Sequence, residues 1–241
     1  MSLLHLLQKE TGKIGLLIDP DKSTSMESLT ALIEKCNSSA IDYVLIGGSR
    51  VTSSDFHQVV TQVKKVSNKP VIIFPGDYKQ VNKNADALLF LQLISGRNPD
   101  YLIEHQVKSA EAIIDSGIEC IPTSYLLIDG ENSSSVSTVS QTTPIKQNNS
   151  SLIVATALAG KLLGHQLIYL EAGSGAKVPV SNAIIQLVKL KTQLPIIVGG
   201  GIRDIDTIQQ MQLLGVNLIV IGTAFEENPS FINALANISK N

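Results

Sequence analysis

One nonapeptide places a carboxylate beside small residues in an arrangement that could do chemistry. It reads Tyr-Leu-Glu-Ala-Gly-Ser-Gly-Ala-Lys over residues 169–177 and continues the apolar run 167–170. Its glycines let backbone N–H groups approach an anion closely, and Glu171 can hydrogen-bond a hydroxyl or accept its proton. This order suits a strand whose carboxyl end opens into a site. A tight turn with a solvated glutamate is the alternative that the nonapeptide alone leaves open.

The composition narrows the classes of function. The 241 residues are 44% apolar and 17% charged, with a formal net charge of −2, which fits one large α/β domain or two small ones. No Lys/Arg block occurs and aromatic residues make up 4%, so we expect no binding of nucleic acid. Because no leader pattern or membrane-length apolar run is found, we expect a soluble, cytoplasmic protein. We expect Cys36 and Cys120, which lie in apolar surroundings, to be buried and reduced.

The elements that must position the nonapeptide are eight apolar runs alternating with helical patterns. Continuous runs, rather than alternating ones, are typical of strands buried on both faces. The sequence therefore predicts a single (β/α)8 barrel over residues 1–241. The alternative is an open doubly wound sheet, which would fit the sequence if one apolar run were miscounted. The predicted strands are 14–18, 43–46, 70–74, 87–91, 119–122 extended by 124–128, 167–170, 194–198 and 218–221. The predicted helices are 2–9, 26–37, 53–66, 99–116, 152–163, 181–191, 204–214 and one after Pro229.

Two segments depart from this alternation. Only about a dozen residues, mostly Lys, Asn and Asp, separate the third strand from the fourth, which is too few for an ordinary helical crossover. We therefore predict that the third helix is replaced by an irregular segment over 75–86. Residues 130–151 are rich in Ser, Thr, Asn and Gln. They form either a linker or a long loop, and the unchanged alternation after them favours a loop within one domain.

Small residues at the strand ends favour a phosphate site. In barrels of this class the site lies at the carboxyl ends of the strands. Gly199–Gly201 after strand seven and Gly222-Thr223 after strand eight could cradle a phosphate with backbone N–H groups and a helix N-terminus. Tight turns are the simpler alternative. Other strand ends contribute Asp19, Asp21 and Lys22 after strand one, Gly47, Gly48 and Ser49 after strand two, and Asp77 after strand three.

Asp19 and Ser49 offer oxygen ligands on adjacent strands. Mg²⁺ accepts few protein oxygens and takes its other ligands from water and substrate phosphate. These two residues therefore predict a magnesium site, although Asp19 could also be a turn residue before Pro20. The four histidines do not follow strands, and neither a GxGxxG nor a P-loop sequence occurs. A histidine metal site, a Ser-His-Asp triad and a dinucleotide site are therefore not supported.

The motifs together resemble the geranylgeranylglyceryl phosphate synthase family, including its heptaprenylglyceryl phosphate synthase relatives. The block at 169–176 is the most distinctive, whereas the glycine blocks at 199–203 and 221–223 also occur in other phosphate-binding barrels. The resemblance covers nearly the whole chain. It rests on Leu-Ile-Asp-Pro-Asp-Lys at 17–22, Ile-Gly-Gly-Ser at 46–49, Ile-Tyr-Leu-Glu-Ala-Gly-Ser-Gly-Ala at 168–176, Val-Gly-Gly-Gly-Ile at 198–202 and Ile-Gly-Thr at 221–223.

The resemblance implies roles for individual residues. Asp19 and Ser49 would contact Mg²⁺, in a barrel that lacks its third helix. Leu17 stands where one branch of the family has Lys, and we expect Lys22 to supply the missing charge; Lys161 stands where we would expect an acidic residue. The residues implied to bind sn-glycerol 1-phosphate are Tyr169, Leu170, Glu171, Ala172, Gly173, Ser174, Gly175, Gly200, Gly201, Gly222, Thr223 and Lys22.

The activity implied by the resemblance is a Mg²⁺-dependent prenyl transfer. A polyprenyl diphosphate of geranylgeranyl type would be joined to the 3-hydroxyl of sn-glycerol 1-phosphate, with Glu171 as the base and Tyr169 as its hydrogen-bonding partner. The gap left by the third helix would form an apolar groove for the prenyl tail. A homo-oligomer and transient membrane contact for the lipid product are further expectations. An isomerase, a synthase or a flavin-dependent barrel using the same phosphate loops, and a phosphate binder without catalysis, remain the alternatives.

Overall fold

Eight parallel strands close into a barrel in chain order, as the continuous apolar runs predict. The computed structural model describes residues 2–22, 25–48, 53–228 and 230–235. The eight-stranded barrel is confirmed and the open sheet is excluded. The strands are β1 (Lys13–Ile18), β2 (Tyr43–Ile46), β3 (Val71–Ile73), β4 (Ala87–Gln92), β5 (Glu119–Leu127), β6 (Leu167–Glu171), β7 (Ile196–Gly199) and β8 (Leu218–Ile221).

The helices surround this barrel and begin mostly where the capping residues predict. The Ser25 hydroxyl accepts a hydrogen bond from the Ser28 N–H, and the Asp204 carboxylate accepts one from the Thr207 N–H, as N-cap residues do. The helices are α1 (Leu3–Lys9), α2 (Met26–Asn37), α3 (Ser53–Val66), α4 (His105–Ser116), α5 (Ser135–Ser140), α6 (Ser150–Leu162), α7 (Asn182–Thr192), α8 (Ile205–Leu213), α9 (Thr223–Glu227) and α10 (Phe231–Ala234), with a 3₁₀ turn at Pro20–Lys22 and a π-helical turn at Asp100–Glu104.

Alternate strand residues enter two separate apolar cores. Leu45, Leu89 and Tyr169 belong to the core inside the barrel. Ile46 and Leu170 belong to the core between the strands and the outer helices. Since side chains alternate along a strand, residues 169 and 171 of β6 point into the barrel and residue 170 points away from it.

Helix α1 closes the amino-terminal end of the barrel. Leu7 is buried within the interior core. The backbone N–H groups of Leu3 and Leu4 donate to the Glu119 carboxylate at the start of β5, over 2.7 and 2.8 Å. These bonds satisfy N–H groups that a helix start leaves free.

The crossover helix that would connect β3 to β4, the third in a regular (β/α)8 barrel, is absent, as predicted. The described residues 74–86 between β3 and β4 form turns without a helix. The buried Gln80 fixes this segment because its amide accepts from the Gly76 N–H and donates to the Gly48 carbonyl. The segment thus follows a defined path across β2 and β3.

Three details differ from the predictions. The segment 130–151 contains helix α5 and joins the barrel through a bridge between Ile128 and Ile145. Helix α9 directly follows β8, where only a glycine loop was expected. Cys120 is exposed, so the prediction that both cysteines are buried is wrong for it, whereas Cys36 is buried.

In the described part of the chain, no helix is both long and apolar enough to span a bilayer.

Candidate active site

Glu171 ends β6 and carries a buried carboxylate, 7% exposed. Its Oε1 accepts a hydrogen bond from the Gly173 N–H over 2.7 Å. Burial raises the pKa of Glu171 to about 7, against the opposing effects of the Gly173 N–H and the Tyr169 hydroxyl, because the low-dielectric interior disfavours the charged form. A carboxylate that titrates near neutral pH can accept and release a proton under ordinary conditions.

Tyr169 lies beneath Glu171 and is completely buried. Its ring stacks on Phe74 with centroids 5.0 Å apart and meets Tyr125 edge-on at 5.3 Å. Its hydroxyl makes no hydrogen bond of ordinary geometry within the described residues, but it faces the same space as Glu171. A Cβ placed on Gly199 would lie 2.5 Å from the Tyr169 Oη and 2.7 Å from the Glu171 Oε2. The Tyr169 hydroxyl and the Glu171 carboxylate therefore both border the position of Gly199.

The glycine loops after β6, β7 and β8 converge around Glu171. The Gly175 N–H donates to the Thr223 Oγ1 over 3.3 Å, and the Ser174 Oγ lies 3.5 Å from the same oxygen. The N–H groups of Ser174, Gly200 and Gly201 donate to no backbone carbonyl of the described residues. These free donors suit an anion. Positive φ angles occur at Gly173 (100°), Gly175 (73°), Gly200 (83°) and Gly201 (71°).

Not every residue predicted to bind substrate offers a side chain to this site. Leu170 is buried in the core between strands and helices. Ala172 is buried, and its N–H donates to the Gly199 carbonyl over 3.0 Å. Gly222 directly precedes α9, which begins at Thr223. Leu170 and Ala172 therefore contribute only their backbone to the site. Thr223 contributes a side-chain hydroxyl, which contacts the loop after β6.

Asp19 follows β1 across the mouth of the barrel from the β6 loop. Burial raises the pKa of its carboxyl, and the N–H of Asp21, which donates to Oδ1 over 3.2 Å, acts in the opposite direction. The carboxylate packs against Gly48, where a Cβ would lie 2.6 Å from Oδ1. Ser49, the second predicted ligand, lies outside the described residues.

The Asp19 carboxylate offers the kind of oxygen ligand that Mg²⁺ accepts. Nowhere in the described chain do three or more His, Cys, Asp or Glu side chains gather as metal ligands. A single half-buried carboxylate that lines an open cavity is compatible with Mg²⁺, since this ion keeps several waters and shares substrate phosphates. It does not fit a metal that requires an all-protein cage.

Three charged residues at the mouth, Arg203, Glu226 and Glu227, were missed from the sequence. The Lys22 Nζ lies 2.6 Å from the Glu226 Oε2, and the Arg203 Nη1 lies 3.2 Å from the Glu227 Oε2. Both acids belong to α9, whose five residues are too few to show a helical period in the sequence, so no sequence signal pointed to them. Asn132, also missed, supports the β6 loop by donating from its Nδ2 to the Ser174 carbonyl over 3.0 Å.

A cavity extends from Glu171 past the barrel mouth into the gap left by the missing helix. One wall is the irregular segment 74–81, and the opposite wall is formed by β4 and α4. The lining also includes Val136 and Val139 of α5. The lining of the gap is mainly apolar and includes Phe74, Val81, Leu88, Phe90, Leu91 and Ile113.

Comparison with known proteins agrees with the motifs. The chain matches the PcrB family over residues 7–239. It is 46% identical over 228 residues to a geranylgeranylglyceryl phosphate synthase of Flavobacterium johnsoniae, covering 94% of this chain and 93% of that protein. It is 48% identical over 213 residues to the synthase of the same name from Zunongwangia profunda, covering 88% and 90%.

Solved structures give the same result. The (S)-3-O-geranylgeranylglyceryl phosphate synthase of Thermoplasma acidophilum, in complex with its substrate sn-glycerol-1-phosphate, superposes with a TM-score of 0.90 at 29% identity, covering 98% of this chain and 96% of that one. A thiamine phosphate pyrophosphorylase of Pyrococcus furiosus, 11% identical with a TM-score of 0.60 and covering 98% and 95%, shares the fold alone. Given its family match, its relatives and its motif blocks, the chain belongs to the PcrB family, together with the geranylgeranylglyceryl phosphate synthases.

Proposed function

We propose that this protein is a prenyltransferase that joins a polyprenyl diphosphate of geranylgeranyl type to the 3-hydroxyl of sn-glycerol 1-phosphate. The observation that carries the proposal is the buried Glu171 carboxylate at the point where three glycine loops meet. The names of the relatives and the substrate bound to the Thermoplasma acidophilum structure support the same assignment. The product would be an ether-linked prenylglyceryl phosphate.

The acceptor would bind with its phosphate in the glycine loops. The free N–H groups of Ser174, Gly200 and Gly201 provide donors without a cationic side chain. Thr223 adds a hydroxyl. With the phosphate held there, the glycerol hydroxyl would lie against Glu171, in the positioned geometry that accelerates a bimolecular step.

Glu171 would serve as the general base. The oxygen of the 3-hydroxyl forms a bond to the allylic carbon, the bond from that carbon to the diphosphate oxygen breaks, and the hydroxyl proton passes to Glu171. Its pKa of about 7 keeps a large fraction of the carboxylate ionised at neutral pH. Tyr169 would tune this carboxylate from beneath.

Asp19, with Ser49, would hold Mg²⁺ at the opposite side of the mouth. When bound, this ion stabilises the negative charge that develops on the leaving diphosphate. Asp19 would also orient the donor so that its allylic carbon faces Glu171. A plain phosphate binder has no use for a carboxylate at this position, which favours the transferase over the non-catalytic alternative.

The gap beside α4 would bind the prenyl tail. Its walls are apolar and include Phe74, Leu88 and Ile113. Transfer of the tail from water to these walls would stabilise the complex by about 0.8 kcal/mol for each buried CH₂ group. We further propose that the enzyme is cytoplasmic, meets a membrane transiently to deliver its product, and assembles as a homo-oligomer. Exposed apolar side chains on the helices, such as Val107, Ile114 and Leu162, support the last point.

Incubation with sn-glycerol 1-phosphate and labelled allylic diphosphates of several lengths, with and without Mg²⁺, tests the proposal. We expect an ether product only with metal, and little product from the Asp19→Asn variant. Exposed Asp206→Asn serves as the matched control. If no donor of any length reacts while sn-glycerol 1-phosphate still binds, the protein is a phosphate-ligand binder instead.

A further inference from the structure

Helix α9 is tied on both sides to the loops of neighbouring strands. Lys22, after β1, is paired with Glu226 over 2.6 Å, and Arg203, after β7, is paired with Glu227 over 3.2 Å. Strand β8 lies between β7 and β1 in the barrel. Helix α9, which directly follows β8, therefore bridges the loops on either side of it.

The first residue of the same helix contacts the β6 loop. The Thr223 Oγ1 accepts a hydrogen bond from the Gly175 N–H and lies near the Ser174 Oγ. One short helix thus reaches the proposed acceptor loop with its first residue and Lys22 with its fourth. The position of Glu226 is consequently fixed by the backbone that forms the phosphate loops.

Lys22 is suited to contact an anion in the cavity. In the described part of the chain, Lys22 and Arg203 are the lysine and arginine that line this cavity. The Lys22 N–H donates to the Asp19 carbonyl over 3.1 Å, so the lysine lies in the turn that carries the proposed metal ligand. Asp19, Lys22 and Glu226 all line the same cavity, so the three charges border one space.

The ion pair leaves Lys22 with unused donors. An ammonium carries three N–H donors, and Glu226 accepts from one of them. The lysine stem is long and flexible, and its side chain is half exposed. Without Glu226, the ammonium would be free to turn into solvent.

We infer that Glu226 is a positioning residue that holds the Lys22 ammonium beside Asp19, where it binds the diphosphate of the prenyl donor. The inference rests on the proposed function. It assigns Lys22 to the prenyl donor, whereas the family resemblance implied a role for this lysine at the acceptor, and it adds Glu226 as the residue that holds Lys22 in place. The opposite arrangement, in which Glu226 competes with the diphosphate for Lys22, makes the opposite kinetic prediction.

Steady-state kinetics of Glu226→Ala test this inference. We expect the KM for the prenyl diphosphate to rise about tenfold, as for the loss of one charge-assisted hydrogen bond, with the KM for sn-glycerol 1-phosphate unchanged. Glu226→Gln should restore part of the donor affinity because its amide oxygen still accepts from Lys22. The matched control is Asp206→Ala on α8, which removes an exposed acid that is not paired with Lys22, and its donor KM should stay within about twofold of wild type.

A double variant shows whether Glu226 acts through Lys22. We expect Lys22→Met to raise the donor KM and the added Glu226→Ala change to have no further effect. Additive effects, a lower donor KM in Glu226→Ala, or a changed acceptor KM would overturn the inference. Calorimetry with inorganic pyrophosphate and Mg²⁺ repeats the comparison without turnover. Weaker pyrophosphate binding by Glu226→Ala than by wild type and by the control variant would support the ion-pair role even if no donor reacted. Pyrophosphate binding by Glu226→Ala that is as tight as that of wild type would overturn it.

Discussion

The Glu171 carboxylate accepts a 2.7 Å hydrogen bond from the N–H of Gly173, two residues further along the chain. The acid is thus oriented by the loop that it introduces. A shift of the glycine loop would move the carboxylate with it, so the proposed phosphate binding and the proposed proton transfer would depend on the same piece of backbone. This relationship makes Glu171 the most informative residue to change.

Replacing Glu171 with Gln should lower kcat by about 10²- to 10⁴-fold, the range for the loss of a positioned base. The amide keeps the size of the side chain and can still accept from the Gly173 N–H, so the Kd for sn-glycerol 1-phosphate should change only a few-fold. Rapid-quench turnover and calorimetric titration measure the two quantities. Exposed Glu34→Gln on α2 is the control. Turnover near that of wild type would rule out Glu171 as the base.

The same substitution should change how stability depends on pH. The pKa of Glu171 is about 7 in the folded protein, against an ordinary value of 4.5. A raised pKa means that its stabilising contribution is complete below about pH 4.5 and is lost as the pH rises through 7. The interval corresponds to roughly 3 kcal/mol.

Urea unfolding of wild type and Glu171→Gln at pH 5 and pH 8 measures this contribution. The glutamine variant does not ionise, so we expect it to gain about 2.5 kcal/mol relative to wild type between the two pH values, slightly less than the full interval because an ordinary carboxyl is already mostly ionised at pH 5. A difference between the proteins that does not vary with pH would show that Glu171 is not held in a low-dielectric site.

Gly199→Ala should displace both Tyr169 and Glu171, the two side chains proposed to act in catalysis. The new Cβ would lie 2.5 Å from the Tyr169 Oη and 2.7 Å from the Glu171 Oε2, which forces both side chains to shift. We expect activity to fall at least about tenfold and stability to fall by about 1–3 kcal/mol, as for overpacking. Gly222→Ala is the control for stability, because its Cβ would meet only Leu17 at 3.7 Å. Full activity in Gly199→Ala would show that the geometry of this pair does not matter.

Ser109→Phe tests the groove. Ser109 is a buried residue of α4 that lines the cavity, and a phenyl ring there would fill space proposed for the tail. We expect the longest allylic diphosphates to lose at least about tenfold in kcat/KM, a loss of 1.4 kcal/mol or more, while the shortest donors are affected little. Competition among donors of different lengths in one reaction measures this shift. Equal loss for all lengths would place the tail elsewhere.

The barrel could be predicted from sequence because its strands are continuous apolar runs. The counting of the short crossover after Phe74 also predicted the missing helix. Helix α9 could not be predicted in this way, since five residues are too few to show a 3.6-residue period. Cys120 was misjudged because apolar neighbours in sequence do not reveal whether a helix covers that end of β5.

The site was predictable only where the strand-end rule applies. The rule brought Glu171, Gly200 and Thr223 to one place, since parallel strands of a barrel end at a common face. It could not predict the pairing of Lys22 with Glu226, which are 204 residues apart in sequence. That contact depends on the paths of two loops, and no periodic pattern determines these.

The absence of a crossover helix between β3 and β4 has a consequence for product release. A lipid tail in that gap would complete the hydrophobic enclosure of the barrel, so the loaded protein should resist unfolding better than the empty one. Release of the product into water would expose its hydrocarbon tail, which costs about 0.8 kcal/mol of free energy for each CH₂ group. We expect desorption of product, rather than bond formation, to limit turnover in plain buffer, and detergent micelles or bilayers to relieve that limit.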